Sequence, residues 1–84
     1  MYAIATTRSF DKAIASLPVS WKKRIVAKIR EVAANPHAPN NNLTKLRGRD
    51  AYRLRVGDWR VIYELHDDRL SMLVLEVGPR GGIY

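Results

Sequence analysis

Cysteine is absent from this 84-residue chain, and histidine occurs only at His37 and His66. The lack of cysteine excludes disulfide bonds, thiolate nucleophiles and cysteine metal sites, and two histidines exclude a His-rich metal site. No apolar run approaches the roughly 18 residues that span a membrane, and the first residues lack the apolar segment of a signal peptide. We therefore expect a soluble cytoplasmic protein that needs no metal or other cofactor.

Basic residues outnumber acidic ones, with 15 Lys and Arg against 8 Asp and Glu, which gives a formal net charge of +7. Such an excess favours a nucleic acid, an anionic membrane surface or an acidic protein as the partner, without choosing among them. The length fits one domain over 1–84, and a hydrophobic fraction of 46% is enough for one core. A domain of this size buries only about 60% of its unfolded surface, so its stability margin is thin.

The hydrophobic pattern predicts elements in the order β-α-α-β-β-β. A short strand over 2–5 precedes a helix that is capped by Ser9 and ends near Leu17. Pro18 separates this helix from a second one over about 19–34, and the two should form a helical hairpin. The apolar stripe of the second helix comprises Trp21, Ile25, Ile29 and Val32.

Three further strands are predicted over 52–56, 59–65 and 70–77. A two-residue turn near position 67 would place Tyr63 opposite Met72. The alternation gives one nearly all-apolar face, which should pack on the helices, and one mixed face. The mixed face comprises Arg53, Arg55, Arg60, Ile62, Glu64, Ser71, Leu73, Leu75 and Val77. The predicted fold is a small α+β domain with a helical hairpin on one face of a mainly antiparallel sheet.

Arg53, Arg55 and Arg60 should point from the same face of one β-hairpin. A turn at Gly57 and Asp58 places Arg55 directly opposite Arg60, since glycine accepts a positive φ at little cost. Like charges in this relationship destabilise a sheet. We therefore expect an anion at this position, and phosphate, whose oxygens arginine can bind bidentately, is the anion we favour.

Three segments resemble toxins of the RelE/ParE superfamily, most closely its RelE branch. They read LRG at 46–48, YRLRVGDWRVIYE at 52–64 and VGPRGGIY at 77–84. Each motif alone is loose, but their order and spacing match the family from position 43 to 84. The two predicted helices before them fit the same order of elements.

The resemblance implies the toxin of a type II toxin–antitoxin system, silenced by a cognate antitoxin that should be acidic. RelE-like toxins are mRNA endoribonucleases that depend on the ribosome and inhibit translation. By position, Arg53 and Arg55 match the basic pair of the second strand, and Arg60 matches the arginine of the third. Arg80 and Tyr84 match the arginine after the last strand and the tyrosine near the C-terminus.

Metal-independent cleavage would use the RNA's own 2′-OH to attack the adjacent phosphate. We assign Arg60 and Arg80 to the scissile phosphate. Arginine stays protonated, so proton transfer is assigned to Tyr84 or Glu64 instead. Binding and orientation of the RNA are assigned to Lys45, Arg47, Arg53 and Arg55.

Two alternatives stay open. One is a ParE-like toxin that inhibits DNA gyrase. The other is a catalytically weak member that still binds its antitoxin, because Pro79 stands where many relatives carry His or Lys. Among the remaining polar residues, His66 is interpreted as part of a turn, and His37 has no evident partner. The cations at 22–24 are interpreted as a solvated helix face, with docking on ribosomal RNA or an acidic antitoxin as the alternative.

Overall fold

The computed structural model describes residues 1–48 and 50–79. Within these ranges the chain forms five strands and two α-helices: β1 (Ala3–Thr6), α1 (Arg8–Ala15), α2 (Val19–Ala34), β2 (Leu43–Lys45), β3 (Ala51–Val56), β4 (Trp59–His66) and β5 (Ser71–Pro79). The predicted order of elements is confirmed, with β2 as an addition. Neither α-helix of the described ranges has the length and apolar character that crossing a membrane requires.

The strands form a single sheet in the order β1-β5-β4-β3-β2. β1 runs parallel to β5, and the other three pairs are antiparallel. The helices cover one face of this sheet, which confirms the predicted α+β architecture. The buried core between the two layers comprises Phe10, Ile25, Ile29, Val32, Ala33, Leu54, Val56, Val61, Tyr63, Met72, Val74 and Val77.

α1 begins at Arg8 and is capped by Thr7, so the prediction of Ser9 as the cap is wrong. The Oγ1 atom of Thr7 accepts a 3.1 Å hydrogen bond from the backbone N–H of Phe10. The same hydroxyl donates a 2.6 Å bond to the carbonyl of Leu75 on β5. Thr7 is preferred because it directly follows β1 in extended conformation, where one hydroxyl can cap the helix and join it to the sheet.

α2 has the predicted bounds, and its predicted stripe faces the core. At the start of this stripe, Trp21 is half-buried, and its ring meets that of Trp59 edge-on at 6.4 Å. Trp21 also contacts the turn between β3 and β4: a Cβ on Gly57 would lie 2.4 Å from its Cη2 atom. Gly57 has φ +60°, a conformation that glycine adopts without steric cost. The hairpin turn is therefore docked on α2.

The predicted register of the β3–β4 hairpin is confirmed, with Arg55 opposite Arg60 and Leu54 opposite Val61. The predicted register of β4 with β5 is wrong, because Tyr63 faces Val74 rather than Met72. A 3₁₀ turn over Asp67–Arg69, followed by Leu70 at φ +48°, connects these strands. This loop is two residues longer than the predicted turn.

A β-bulge in β5 changes which face its last residues occupy. The pairing shifts between Tyr63, opposite Val74, and Ile62, opposite Glu76, so that Leu75 is an extra residue. An extra residue moves every later side chain to the other face. Val77 consequently lies in the core with 7% exposure, and its predicted place on the mixed face is wrong.

Candidate functional site

A cleft of about 440 Å³ opens between α2 and the turn of the β3–β4 hairpin. Its lining comprises Arg24, Lys28, Asn42, Arg55, Val56, Gly57, Asp58 and Arg60. A hollow of about 150 Å³ shares Asn42, Arg55 and Arg60 with it and adds Asn41, Thr44 and Arg53. Because they share three residues, the two spaces are continuous, and we call them together the basic cleft.

Neutral acceptors orient the two facing arginines of the basic cleft. Arg55 donates from Nη2 to Oδ1 of Asn42 at 3.2 Å. Arg60 donates from Nη1 to the carbonyls of Gly57 and Trp59, at 3.4 and 3.2 Å. Within the described residues, neither guanidinium is paired with a carboxylate. These bonds hold both side chains without neutralising their charge, which suits a site for an anion.

Arg53 follows the same face of β3 and is half-buried. It lies opposite Ile62 in the register and lines the smaller part of the basic cleft. The structure therefore brings together the three arginines that the sequence assigned to phosphate and RNA. Asn42, the residue just before β2, lines the same cleft, and the sequence reasoning missed it.

Two cations of α2, Arg24 and Lys28, complete the lining. The sequence reasoning gave Lys28 no role. The guanidinium carbon of Arg24 lies 4.3 Å from the centre of the Trp21 ring, a cation–π contact. Lys28 forms a 3.3 Å ion pair with Glu31. Arg24 is exposed, as the interpretation of 22–24 as a solvated face expects, and it also lines the cleft. Its spacing of four from Lys28 is the signal that places both on one side of the helix.

Lys45 and Arg47 lie elsewhere. They line a separate hollow at the β2–β3 connection, together with Leu46, Gly48 and Asp50. Both side chains are exposed. The structure does not bring these two predicted RNA-binding residues to the basic cleft.

Glu64 lies four positions beyond Arg60 on β4, outside the lining of the basic cleft. Its Oε1 atom is 3.1 Å from Nε2 of His66. His66 is the last residue of β4 and pairs with Ser71, so its predicted place in the turn is wrong. The two remaining predicted catalytic residues, Arg80 and Tyr84, lie outside the residues that the structure describes.

Asp58 is the carboxylate that lines the basic cleft, and the sequence reasoning gave it no role beyond the turn. Its charge opposes that of four neighbouring cations of the lining. Within residues 1–48 and 50–79, no group of three or more His, Cys, Asp or Glu side chains could hold a metal ion. The described chemistry of the cleft is thus that of a cationic surface with strong hydrogen-bond donors.

A second polar cluster joins three distant segments around Asp67, at the other end of β4. Asp67 accepts a 2.6 Å bond from the hydroxyl of Tyr2 and lies 2.9 Å from Nε2 of His37. These hydrogen bonds, that of Tyr2 first, lower the pKa of Asp67, and the bond to Asp67 raises the pKa of Tyr2. The expectation that His37 lacks a partner is wrong. The cluster ties the start of β1 and the chain after α2 to the β4–β5 turn.

Tyr63 lies at the centre of the core with its ring stacked on that of Tyr52, 5.5 Å between centroids. Its hydroxyl is buried and has no hydrogen-bond partner among the described residues. Burial raises the pKa of Tyr63 well above its ordinary value. The side chain therefore remains neutral, and it contributes packing rather than acid–base chemistry.

The family model for the ParE toxin of the type II toxin–antitoxin system parDE matches residues 4–84. A putative RelE-like toxin protein of Escherichia coli is 32% identical over 81 residues, which cover 93% of this chain and 75% of that protein. The archaeal RelE–RelB complex from Pyrococcus horikoshii contains a similar chain, with 29% identity and a TM-score of 0.84 over 96% of this chain and 97% of that one. The RelB–RelE antitoxin–toxin complex from Methanococcus jannaschii gives 29% identity and a TM-score of 0.72, over 95% and 94%.

These matches extend over nearly the whole chain, and the similarity in structure agrees with the helical hairpin and the sheet described above. The chain belongs to the RelE/ParE superfamily of toxins from type II toxin–antitoxin systems, in its RelE-like branch.

Proposed function

We propose that this protein is an mRNA endoribonuclease that acts on the ribosome and thereby inhibits translation. One observation carries the proposal: Arg55 and Arg60 face each other across β3 and β4, and neutral acceptors hold both in a cleft with further cations. A sheet gains nothing from two opposed guanidinium groups, whereas a phosphodiester placed between them gains bidentate hydrogen bonds and charge neutralisation.

The proposed reaction uses the 2′-OH of the RNA as the nucleophile. A bond forms between the 2′-oxygen and phosphorus while the bond to the 5′-oxygen breaks, leaving a 2′,3′-cyclic phosphate and a free 5′-OH. Arg60, with Arg80 of the family motif, would stabilise the extra charge on the phosphoryl oxygens in the transition state. Arg53 and Arg55 would bind and orient the strand.

Two protons must also move, from the 2′-OH and to the leaving 5′-oxygen, and arginine cannot accept the first of them. Glu64 contacts His66 and lies outside the cleft lining, so it must reorient to reach a phosphate at Arg60. We retain Tyr84 for proton transfer, with the ribosome supplying the remaining orientation. This division explains why the isolated protein is expected to cut free RNA poorly.

A cognate antitoxin is the proposed protein partner. The similar chains from Pyrococcus horikoshii and Methanococcus jannaschii were crystallised as complexes with RelB. The net charge of +7 favours an acidic antitoxin for this chain.

Primer extension on mRNA from a translating extract tests the activity. We expect wild-type protein to cut within codons in the ribosomal A site, and Arg60→Ala to cut about 100-fold more slowly, the effect of losing one charge-stabilising donor. Arg69→Ala is the matched control, since Arg69 is exposed at the other end of β4, where it forms an ion pair with Asp68 at 3.8 Å. Unchanged cleavage by a folded Arg60→Ala protein, or efficient cleavage of free RNA, would contradict the proposal.

A second candidate follows from the family model, which describes ParE toxins. A ParE-like toxin would inhibit DNA gyrase. Cells that produce the protein would then show gyrase-dependent DNA breaks, and their mRNA would stay intact. A protein that binds its antitoxin tightly but causes neither effect would be the catalytically weak member of the family.

A further inference from the structure

Two sides of the basic cleft come from different parts of the chain. Arg55 and Arg60 belong to the β3–β4 hairpin, whereas Arg24 and Lys28 belong to α2. On a helix of about 3.6 residues per turn, residues four apart lie on the same side. Lys23 and Arg30 of the same helix project elsewhere and do not line the cleft. The helix thus presents one pair of its cations to the hairpin.

Trp21 fixes the position of this pair relative to the hairpin. Its indole is in contact with the turn at Gly57, where a Cβ would lie 2.4 Å from Cη2. The same indole lies under the guanidinium of Arg24, 4.3 Å from the ring centre. Trp21 therefore packs against the hairpin turn and orients Arg24 beside it. The cations of α2 and those of the hairpin thus form one preorganised surface.

Lys28 is less constrained. Its ion pair with Glu31 is exposed, with 53% and 69% of the two side chains accessible, and pairs of this kind contribute little to stability. The ammonium group can exchange Glu31 for a stronger anion at small cost. The charge of Lys28 is thus available to a ligand in the basic cleft.

The lining of the cleft favours a nucleic-acid strand over a protein segment. Among the described lining residues, Val56 is the single apolar side chain, and the rest offer charges, amides or backbone. Protein partners are usually anchored by apolar and aromatic side chains in well-packed pockets, which this cleft does not provide. A phosphate backbone needs cations and hydrogen-bond donors, which the cleft supplies from both sides.

We infer that Arg24 and Lys28 form a second phosphate-binding subsite for single-stranded RNA, which holds the phosphate next to the one bound by Arg55 and Arg60. This inference rests on the proposed function and adds to it the path of the RNA strand: from the exposed face of the sheet, around the hairpin turn, to α2. Asp58, between the two sets of cations, would repel the strand and limit its affinity.

Binding of a short single-stranded RNA tests the inference. The RNA is fluorescently labelled and carries 2′-O-methyl groups, so that it cannot be cleaved, and its affinity is measured by anisotropy between about 50 and 200 mM salt. We expect Arg24→Gln/Lys28→Gln to weaken binding and to reduce the slope of log K against log salt by about 0.7, the contribution of one neutralised phosphate on a single strand. Asp58→Asn should tighten binding.

Lys23→Gln/Arg30→Gln is the matched control, with the same helix and the same change in charge. Equal losses in the two double variants would show a general effect of charge and overturn the inference. So would a loss of antitoxin affinity in Arg24→Gln/Lys28→Gln with RNA affinity unchanged, because the helix side of the cleft would then be a protein site. Arg24→Lys/Lys28→Arg keeps both charges and should keep the salt slope; a fall in its slope as large as that of the Gln pair would also overturn the inference.

The outcome for the proposed function is separate. If Arg55→Gln weakens RNA binding and Arg24→Gln/Lys28→Gln does not, only the second subsite is wrong. If wild-type protein neither binds the RNA nor cuts mRNA on ribosomes, the proposed function itself is wrong, and the subsite with it.

Discussion

The six-membered ring of Trp21 occupies the space into which a side chain on Gly57 would project. A Cβ at position 57 would lie 2.4 Å from Cη2 and 2.8 Å from Cζ3 of the indole, closer than such atoms approach in proteins. Gly57 also has φ +60°. Both the backbone conformation and the available space therefore require glycine at this turn, and the second requirement comes from a helix more than thirty positions earlier in the chain.

Gly57→Ala should lower the free energy of unfolding by about 2–5 kcal/mol. The left-handed conformation costs an L-residue about 1–2 kcal/mol, and displacing the packed indole adds about 1–3 kcal/mol. Gly48→Ala is the control, because Gly48 has φ +69° but nothing within 4 Å of a Cβ. It should lose only the conformational part. Urea unfolding of both variants measures the difference. Equal losses would mean that the Trp21 indole moves aside without a cost in free energy.

Arg55→Gln should stabilise the fold and weaken RNA binding in the same protein. Removing one of two directly opposed cations on β3 and β4 should raise the free energy of unfolding by about 0.2–1 kcal/mol. The gain should shrink at high salt, which screens the repulsion. Lys45→Gln, opposite Tyr52, is the control for a strand cation without a facing charge. Unfolding at two salt concentrations, with RNA binding, checks both effects. A loss of stability in Arg55→Gln would contradict this, because it would show that Arg55 stabilises the fold.

Tyr63→Phe should raise the free energy of unfolding by about 1 kcal/mol near neutral pH, because it removes a buried hydroxyl that lacks a partner among the described residues. Tyr52→Phe, half-buried on the neighbouring strand, should change it little. The measurement is chemical unfolding of the three proteins side by side. A loss of stability in Tyr63→Phe would reveal a hydrogen bond to that hydroxyl.

The same substitution has a consequence for pH dependence. The pKa of Tyr63 is raised above its ordinary 10.0 by burial, so the unfolded chain releases this proton first as the pH increases. The contribution of neutral Tyr63 to the free energy of unfolding is fully present below pH 10.0. Above that pH it declines by at most about 1.4 kcal/mol per pH unit. Tyr63→Phe lacks this decline. Its advantage over wild type should therefore widen in alkaline solution.

Asp67→Asn should destabilise the protein near neutral pH and have little effect in acid. The pKa of Asp67 is lowered by its bonds to Tyr2 and then His37, so its ionised form stabilises the fold above the ordinary value of 3.8. That contribution is lost as the pH falls through the lowered pKa. Urea midpoints near neutral pH and below about pH 3 measure it. Asp68→Asn, which removes an exposed neighbouring carboxylate that pairs with Arg69, is the control for the loss of one negative charge in this loop.

Sequence reasoning placed the hairpin arginines correctly because the information is local. Alternating apolar residues and a turn with glycine fix the register of β3 and β4 within one short segment, and Arg55 faces Arg60 as a result. The bounds of α2 were equally accessible, since Pro18 and Pro36 flank a clear apolar stripe.

The remaining differences depend on contacts that no local pattern contains. Thr7 and Ser9 are both good caps. Thr7 is favoured because its hydroxyl also bonds the carbonyl of Leu75, 68 positions away. The register of β5 depends on Leu70 in a left-handed conformation, which leucine seldom adopts. The place of Arg24 in the cleft follows from the docking of Trp21 on the hairpin turn, a tertiary contact. β2 has only three residues, and its strand conformation is defined by pairing with β3.

The position of β5 in the sheet has a consequence for how the protein is made. β1, the first strand to be synthesised, pairs only with β5, the last strand of the described chain. The β3–β4 hairpin can form from neighbouring residues, but β1 has no partner in the sheet until residues 71–79 have been added. The sheet is therefore completed only after β5 has been synthesised, and until then β1 remains an unpaired strand.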